Sequence, residues 1–560
     1  MERIINRAFG YYLAAGARAS AVIQAFAVAA LLVTGFNAAA AGVAAHGFGV
    51  FTSPYGLGFL LMAAAAGYVA WEAYERASVT VRSTQHGSAG FTKPRFERDL
   101  RRPAGVPLEP GSIFISPGRR RDVVLPRALA VMHVMIVGGS GTGKTRAVFL
   151  PTAARSRGTS LVCTDPKGEL WRLTSGFHLR ARRYAPRDPD RSWCFNWVPT
   201  CRDSAVALKL ARAVMQQDDD GHAKEQRFFK VGDRNFCAAL FQYAATLEEP
   251  TPATAYELLS LDVFDLLRLF AKSESPLARR CAADMLPYEE GDSKVVAGIK
   301  LSVSQQLAFL ESPAIRRFTS ASRVAPDFAE LRRWPVAVYL VLNEQDLAEL
   351  QPLCSLFYTL IFHQLTHGPE GESTAVPITM LLDEFGNVGR LPDFVKTIGV
   401  TRYRNIALVL GLQSLHQLEE FYGPNGAKTI RTNCATKIAL HGMDVDNAEY
   451  FSRMLGETTV VTTQQSKSSG GNGRGSQVTT SEVRNQRRLM TPDEVMRLGE
   501  GEIIFRTSNR RPMLLKKLYY DERPSEAEAR TLGAARVSRV EVPARPARKR
   551  KDPPPELPRV

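Results

Sequence analysis

At 560 residues the chain has room for several domains, and its formal net charge of +16 suits contact with nucleic acid or an anionic membrane surface. Its cysteines (Cys163, Cys194, Cys201, Cys237, Cys281, Cys354 and Cys434) show no Cys-x-x-Cys spacing. That argues against a zinc site and a disulfide framework and leaves them as core thiols. No basic stripe interleaved with aromatics stands out; Arg119-Arg120-Arg121 and Arg548-Lys549-Arg550-Lys551 read as solvated charge.

Two apolar runs open the chain, at 21–45 and 56–71, and neither contains a charged residue. A helix needs about 20 apolar residues to cross a bilayer. Arg3, Arg7 and Arg18 precede the first run, Arg76, Arg82 and Lys93 follow the second, and the loop between them has no Lys or Arg. The positive-inside rule then places both ends in the cytoplasm, which predicts a two-helix anchor with a short outer loop. The small residues Ala38 to Ala41 imitate a signal-peptide cleavage site. A second hydrophobic span and a nucleotide loop that needs cytosolic ATP argue against cleavage.

The anchor is followed by Val134-Met135-Ile136-Val137 and then Gly138-Gly139-Ser140-Gly141-Thr142-Gly143-Lys144-Thr145, a complete G-x-x-x-x-G-K-[ST] phosphate loop. The glycines let backbone N–H groups curl round nucleotide phosphates, Lys144 reaches the β and γ phosphates, and Thr145 ligates Mg²⁺. The helix expected at 147–150 adds its partial positive charge. A chance glycine turn is the plain alternative, but the strand context and the full set of fixed positions favour ATP or GTP.

From here β-type runs alternate with helical pattern, the mark of a parallel sheet covered by helices. Strands are expected at 133–137, 160–164, 336–342, 378–382, 406–412, 436–440 and 502–505. Between 204 and 316 the β signal vanishes and 205–215, 235–247, 255–270 and 295–310 carry helical periodicity, which predicts an inserted all-α domain. Residues 464–481, rich in Ser and Gly, read as a mobile loop. The Pro/Arg-rich tail from 523 reads as disordered. The domain scheme is a membrane anchor at 1–80, a nucleotide-binding domain at 81–203 and 317–522 interrupted by the all-α domain at 204–316, and the tail at 523–560.

Two further strands end in chemistry. The run 376–382 ends at Asp383-Glu384, where Asp383 would hold the Mg²⁺ shell and Glu384 would polarise the attacking water as general base. Two acids capping the next helix would look alike, but the upstream loop favours catalysis. A Glu directly after the Asp also favours a RecA-like ring motor over a small GTPase. The run 405–412 ends at Gln413, a candidate for the γ-phosphate or the lytic water, with a polar helix cap as the alternative. Arg402 and Arg404 stand just before that strand; an arginine finger inserted across a subunit boundary and a surface salt bridge are both open for them.

Together these blocks resemble the coupling proteins of type IV secretion and conjugation systems, the TraG/VirD group of membrane-anchored ATPases. The resemblance rests on Asp165-Pro166-Lys167-Gly168-Glu169-Leu170, Leu381-Leu382-Asp383-Glu384-Phe385-Gly386, and Arg402 through Gln413-Ser414-Leu415-His416-Gln417-Leu418 with Tyr422-Gly423. Asn433, Glu449-Tyr450-Phe451-Ser452 and Leu489-Met490-Thr491-Pro492-Asp493-Glu494-Val495 follow in order. It implies a RecA-like P-loop α/β domain with an all-α domain inserted, carried on two transmembrane helices. It also implies a homo-hexameric ring beneath the bacterial inner membrane, with the bulk of the chain cytoplasmic. Such a ring uses ATP and Mg²⁺ to hand relaxase-bound DNA, or protein effectors, to the secretion channel. Lys144, Thr145, Asp383, Glu384, Arg402 and Gln413 match the family's catalytic positions, with Arg402 as a finger in trans and Gln413 as a γ-phosphate sensor. The basic tail departs from members that dock substrates through an acidic one. An effector-only receptor and an FtsK-like DNA translocase are the alternatives.

Overall fold

The computed structural model describes residues 87–216, 224–367, 375–468, 477–517 and 519. The apolar runs at 21–45 and 56–71, the centre of the Gly-rich stretch and the tail from 523 lie outside the described residues. Among those described, no helix is long and apolar enough to cross a membrane. The described residues form two units, one made of 87–89 with the stretch Gly456–Leu489, the other of the remainder.

The larger unit begins with a small antiparallel sheet of β1 (Arg101–Pro103), β2 (Ile113–Ser116) and β3 (Arg121–Leu125), in the order β1-β3-β2. Then come β4 (Val134–Val137), β5 (Ser160–Asp165), β6 (Ala181–Tyr184) and β7 (Ala337–Val341). β8 (Ile378–Leu382), β9 (Ile406–Leu412) and β10 (Thr436–Ala439) complete the parallel set. In the smaller unit β11 (Glu457–Ser468) and β12 (Gln477–Arg488) pair antiparallel from Glu457↔Arg488 to Ser468↔Gln477. The start of this ribbon is tied to 87–89, where Ala89 N donates to Glu457 O at 2.9 Å. The ribbon corrects the expected loop at 464–481, since both of its flanks are strand.

β13 (Glu502–Thr507) and β14 (Met513–Lys516) finish the main sheet, whose nine strands run β14-β13-β10-β4-β9-β8-β5-β7-β6. From β10 to β6 every pairing is parallel, and β13 and β14 add an antiparallel edge. β4, β8 and β9 are buried along their whole length, as expected of central strands covered on both faces. In an open α/β sheet of this kind ligands bind beyond the carboxyl ends of the strands, so Val137, Leu382 and Leu412 mark where the site must lie.

Among the described residues the chain from β6 to β7 is free of strand and rich in helix. The helices Ser204–Met215 and Lys224–Thr246 pack side by side, with Pro252–Leu258, Val263–Ala271, Pro276–Met285, Ser293–Gln306 and Pro313–Ser320 after them. The single helix expected over 255–270 is two. Asp262 breaks it by accepting from Phe264 N (2.9 Å) and Asp265 N, which caps a new helix and leaves Ser260 and Leu261 as a turn. Thr251 and Ser275 cap their helices likewise, each with a proline at the first helical position. Gln242, buried, ties three segments together: its Nε2 donates to Ser204 Oγ (2.8 Å), and its Oε1 accepts from Ser275 Oγ (2.7 Å) and Leu277 N (2.9 Å). An aromatic cluster joins these helices to the sheet. Phe357 stands 5.1 Å from both Tyr184 of β6 and Phe195, which in turn packs on Trp197.

Candidate functional site

The phosphate loop leaves β4 at Val137 and needs its glycines for two different reasons. Gly141 and Gly143 both have left-handed backbone, φ +74° and +81°, which L side chains adopt only under strain. At Gly143 space is also denied, because an added Cβ would stand 2.3 Å from Cε1 of Tyr519. Lys144 is buried to 4 % exposure and folds back over the loop, donating to Gly138 O (2.9 Å) and Gly139 O (3.2 Å). Its Nζ lies 3.6 Å from Glu384 Oε1.

β8 delivers the acids. Asp383 is buried at its end and accepts a hydrogen bond from the Thr145 hydroxyl through Oδ2 and from Glu384 N (3.1 Å) through Oδ1. Burial raises the Asp383 carboxyl to about 6; the Glu384 charge adds to this, while the Thr145 hydrogen bond and Lys144 oppose it. Glu384 has φ +54°, rare for a residue with a side chain, and the turn this makes brings its carboxylate back toward Lys144. β9 supplies Gln413, whose Nε2 donates to Glu384 Oε2 at 2.8 Å. The site is a closed relay: Thr145 to Asp383, Lys144 to Glu384, Glu384 to Gln413.

Three supporting residues had no role assigned from the sequence: Gln417 and Asp165 stood only within the family-like blocks, and Lys517 was not singled out. Gln417 Oε1 accepts from Gln413 N (3.0 Å), so the residue four places on holds the turn that aims Gln413. Asp165, at the end of β5, accepts from Leu170 N (3.2 Å) and Trp171 N (2.7 Å), fixing the turn of the 165–170 block. Burial lifts its carboxyl to about 6 as well, and the Asp383 charge contributes. Lys517, beyond β14, donates to Thr142 O at 2.9 Å and clasps the loop from the far side. A polar residue at the end of an apolar strand, or a few places beyond it, was the available signal for the first two. Nothing local marks Lys517.

Arg402 stays outside this cluster. It is exposed at the end of the helix Phe394–Thr401, before β9 begins. The seven residues of β9 separate it from Gln413, roughly 20 Å at a strand's rise. It therefore cannot serve its own phosphate loop. It lies near His133, buried at the start of β4, whose ring contacts Ile398 O at 2.9 Å. Burial first, and the Arg402 charge as a smaller cause, push His133 down to about 4.

Thr145 and Asp383 offer two hard oxygen donors at one point, and the Asp383 charge is buried against a second carboxylate. That donor set fits Mg²⁺. Left-handed glycines, a helix start and a lysine after one parallel strand, with paired acids at the end of another one strand removed, define a phosphate-loop α/β protein. A family model described as type IV secretory system conjugative DNA transfer matches residues 110–543, and the chain belongs to that family. The family read from the motif blocks is thus borne out.

The conjugal transfer protein TraG of Escherichia coli is 28 % identical over 403 residues, covering 65 % of this chain and 62 % of the relative. Protein VirD4 of Agrobacterium fabrum is 25 % identical over 412 residues, 70 % of this chain and 59 % of the relative. The chain spans about three-fifths of the length of these relatives. Among solved structures, the unbound bacterial conjugative coupling protein TrwBdeltaN70 aligns with TM-score 0.60 at 18 % identity, covering 80 % of this chain and 99 % of that one. TrwB in complex with ADP and Mg²⁺ aligns with TM-score 0.59 at 18 % identity, over 78 % and 95 %. At these identities the likeness is one of fold.

Proposed function

We propose that this chain is the ATP-driven coupling motor of a conjugative DNA transfer system. The observation that carries the reading is the relay joining Lys144 and Thr145 to Asp383, Glu384 and Gln413 across three strand ends, in a chain of the conjugative DNA transfer family. The nucleotide complexes described for TrwB support it.

In this reading the backbone N–H groups of Gly139 to Thr145 hold the phosphates and Lys144 swings from Gly138 O and Gly139 O onto the β and γ oxygens. Thr145 Oγ1 and Asp383 would hold Mg²⁺, which would supply charge neutralisation to the phosphates when bound. Glu384 accepts the proton of the attacking water, and Gln413 holds the Glu384 carboxylate in line. Arg402, remote from its own loop, reaches the loop of a neighbour in a homo-hexameric ring and neutralises transition-state charge there. The segment before 81 anchors the ring in the inner membrane, and the helical stretch at 204–316 reads the cargo, DNA with its relaxase or a protein effector. Secretion-channel components are the receiving partners.

The test is ATP turnover by the full-length protein with and without DNA. Turnover that falls with Glu384→Gln, together with DNA binding that weakens as salt rises, supports the reading. Equal turnover in Glu384→Gln and wild type overturns the catalytic assignment. Turnover without any salt-sensitive DNA binding favours an effector-only receptor.

A further inference from the structure

Tyr519 lies against the phosphate loop from the side opposite to the catalytic acids. Its ring centroid is 4.2 Å from Arg146 Cζ and 5.1 Å from Lys517 Nζ, and its edge occupies the space beside Gly143 where a Cβ would point. Lys517 keeps it there: buried at 4 % exposure, its Nζ donates to Thr142 O (2.9 Å) and contacts His441 Nδ1 (3.0 Å). The end of β14 is therefore fastened to the loop, with an aromatic face over its last turn.

The sheet order gives that position a meaning. β4, which delivers the loop, has β9 on one side and β10 on the other, and β13 and β14 lie beyond β10. Glu384 and Gln413, the groups for the γ end of a triphosphate, come from the β8 and β9 side. The α end must then lie toward Thr145 and Arg146, and the nucleoside must leave the loop on the β10–β14 side. Tyr519 and Arg146 stand there stacked on each other, a π face and a guanidinium plane of the two kinds on which bases stack.

We propose that Tyr519, with Arg146 against it, is the nucleobase platform of the phosphate-loop site, and that Lys517 is its positioning residue. The inference rests on the nucleotide reading above. Stacking on a π face reads no exocyclic group, so this platform takes adenine and guanine alike.

Equilibrium titration of the full-length protein with ADP and with inorganic pyrophosphate separates the base from the phosphates. In Tyr519→Ala, ADP affinity is expected to fall about ten-fold, the scale of one lost base stack, with pyrophosphate affinity unchanged. Tyr519→Trp should restore ADP binding, which a merely unfolded loop would not. Equal loss for ADP and pyrophosphate would make Tyr519 a prop for the loop and overturn the platform. Tighter pyrophosphate binding in Tyr519→Ala would make the ring a plug over the phosphates and overturn it too. Unchanged ADP affinity in the variant sinks the platform alone. A wild type that binds neither ligand sinks the nucleotide reading, and the platform with it.

Discussion

The carboxyl ends of β4, β8 and β9 and the helices between β6 and β7 use polar groups in opposite ways. At the strand ends, buried charge is set against buried charge, Lys144 and Asp383 being nearly inaccessible, and Glu384 sits on left-handed backbone. In the helices, polar side chains close helix ends, as Asp262 does, or stitch segments together, as Gln242 does. The first arrangement is costly to fold and is the kind kept for chemistry. Among the described residues, the second stabilises a packed bundle. The cargo role proposed for 204–316 would then rest on surface shape, whereas the catalysis proposed for the strand ends rests on named atoms.

Breaking that contrast at its most sensitive point means removing Arg402. A finger in trans contributes about 10³–10⁵ in rate, so uniform Arg402→Ala rings should be nearly inactive, as should Lys144→Ala rings. Co-assembled mixtures of the two should regain ATP hydrolysis, because some interfaces then pair an intact Lys144 with an intact Arg402. No recovery in mixed rings refutes action in trans, and full activity in the pure Arg402→Ala ring refutes the finger. Next in size is Glu384→Gln, expected to lower turnover by about 10²–10⁴ with nucleotide binding retained, where Lys144→Ala loses binding itself. Exchanging 204–316 for the same stretch of a relative with a different cargo should change cargo preference and leave basal ATP hydrolysis largely intact. Loss of hydrolysis with preference unchanged would make the helices structural.

A smaller effect tests the opposite end of the sheet. His133 is held neutral, its titration pushed down to about 4 chiefly by burial, whereas in the unfolded chain a histidine takes its proton near 6.5. Above 6.5 both states are neutral and the residue adds no pH slope. As pH falls from 6.5 toward 4 the unfolded chain binds a proton the native one refuses, so stability is lost over that window. His133→Asn suits the left-handed backbone at φ +60° and removes the titration. The stability difference between wild type and variant, from denaturant midpoints, should shrink by about 2 kcal/mol between pH 7.5 and 5. A difference independent of pH would place His133 in contact with solvent.

How much of this was legible follows from burial. β4, β8 and β9 are covered on both faces and so read as unbroken apolar runs, which carried the phosphate loop, Asp383, Glu384 and Gln413 with them. β6 (Ala-Arg-Arg-Tyr) is a half-buried edge, and β14 alternates buried and exposed over four residues. Neither is long enough to show a period. The ribbon of β11 and β12 is rich in Thr, Ser, Gln and Arg and has no apolar face, so its Gly-rich centre dominated the reading. Tyr519 and Lys517 act through a strand that the sequence hid, and their place on the loop depends on sheet order alone.

The least effect expected is also the one that isolates the helices from the motor. Asp262 closes the helix Val263–Ala271 through two backbone N–H groups, and its carboxyl is held below the ordinary range, first by the bond from Phe264 N. Asp262→Ala removes the cap at a cost of about 1 kcal/mol. That helix supplies Phe264, Leu266, Leu267 and Phe270 to the bundle interior, so fraying its first turn loosens the bundle. Nothing in the relay from Thr145 to Gln413 touches it. Melting should therefore fall by a few degrees while ATP hydrolysis per folded molecule stays unchanged. Because the cap is a carboxylate with a lowered titration, its contribution is whole near neutrality and fades only as pH drops below its unfolded value near 3.9. A fall in hydrolysis larger than the fall in folded fraction would mean the helices transmit strain to the strand ends, and the separation of chemistry from cargo surface would not hold.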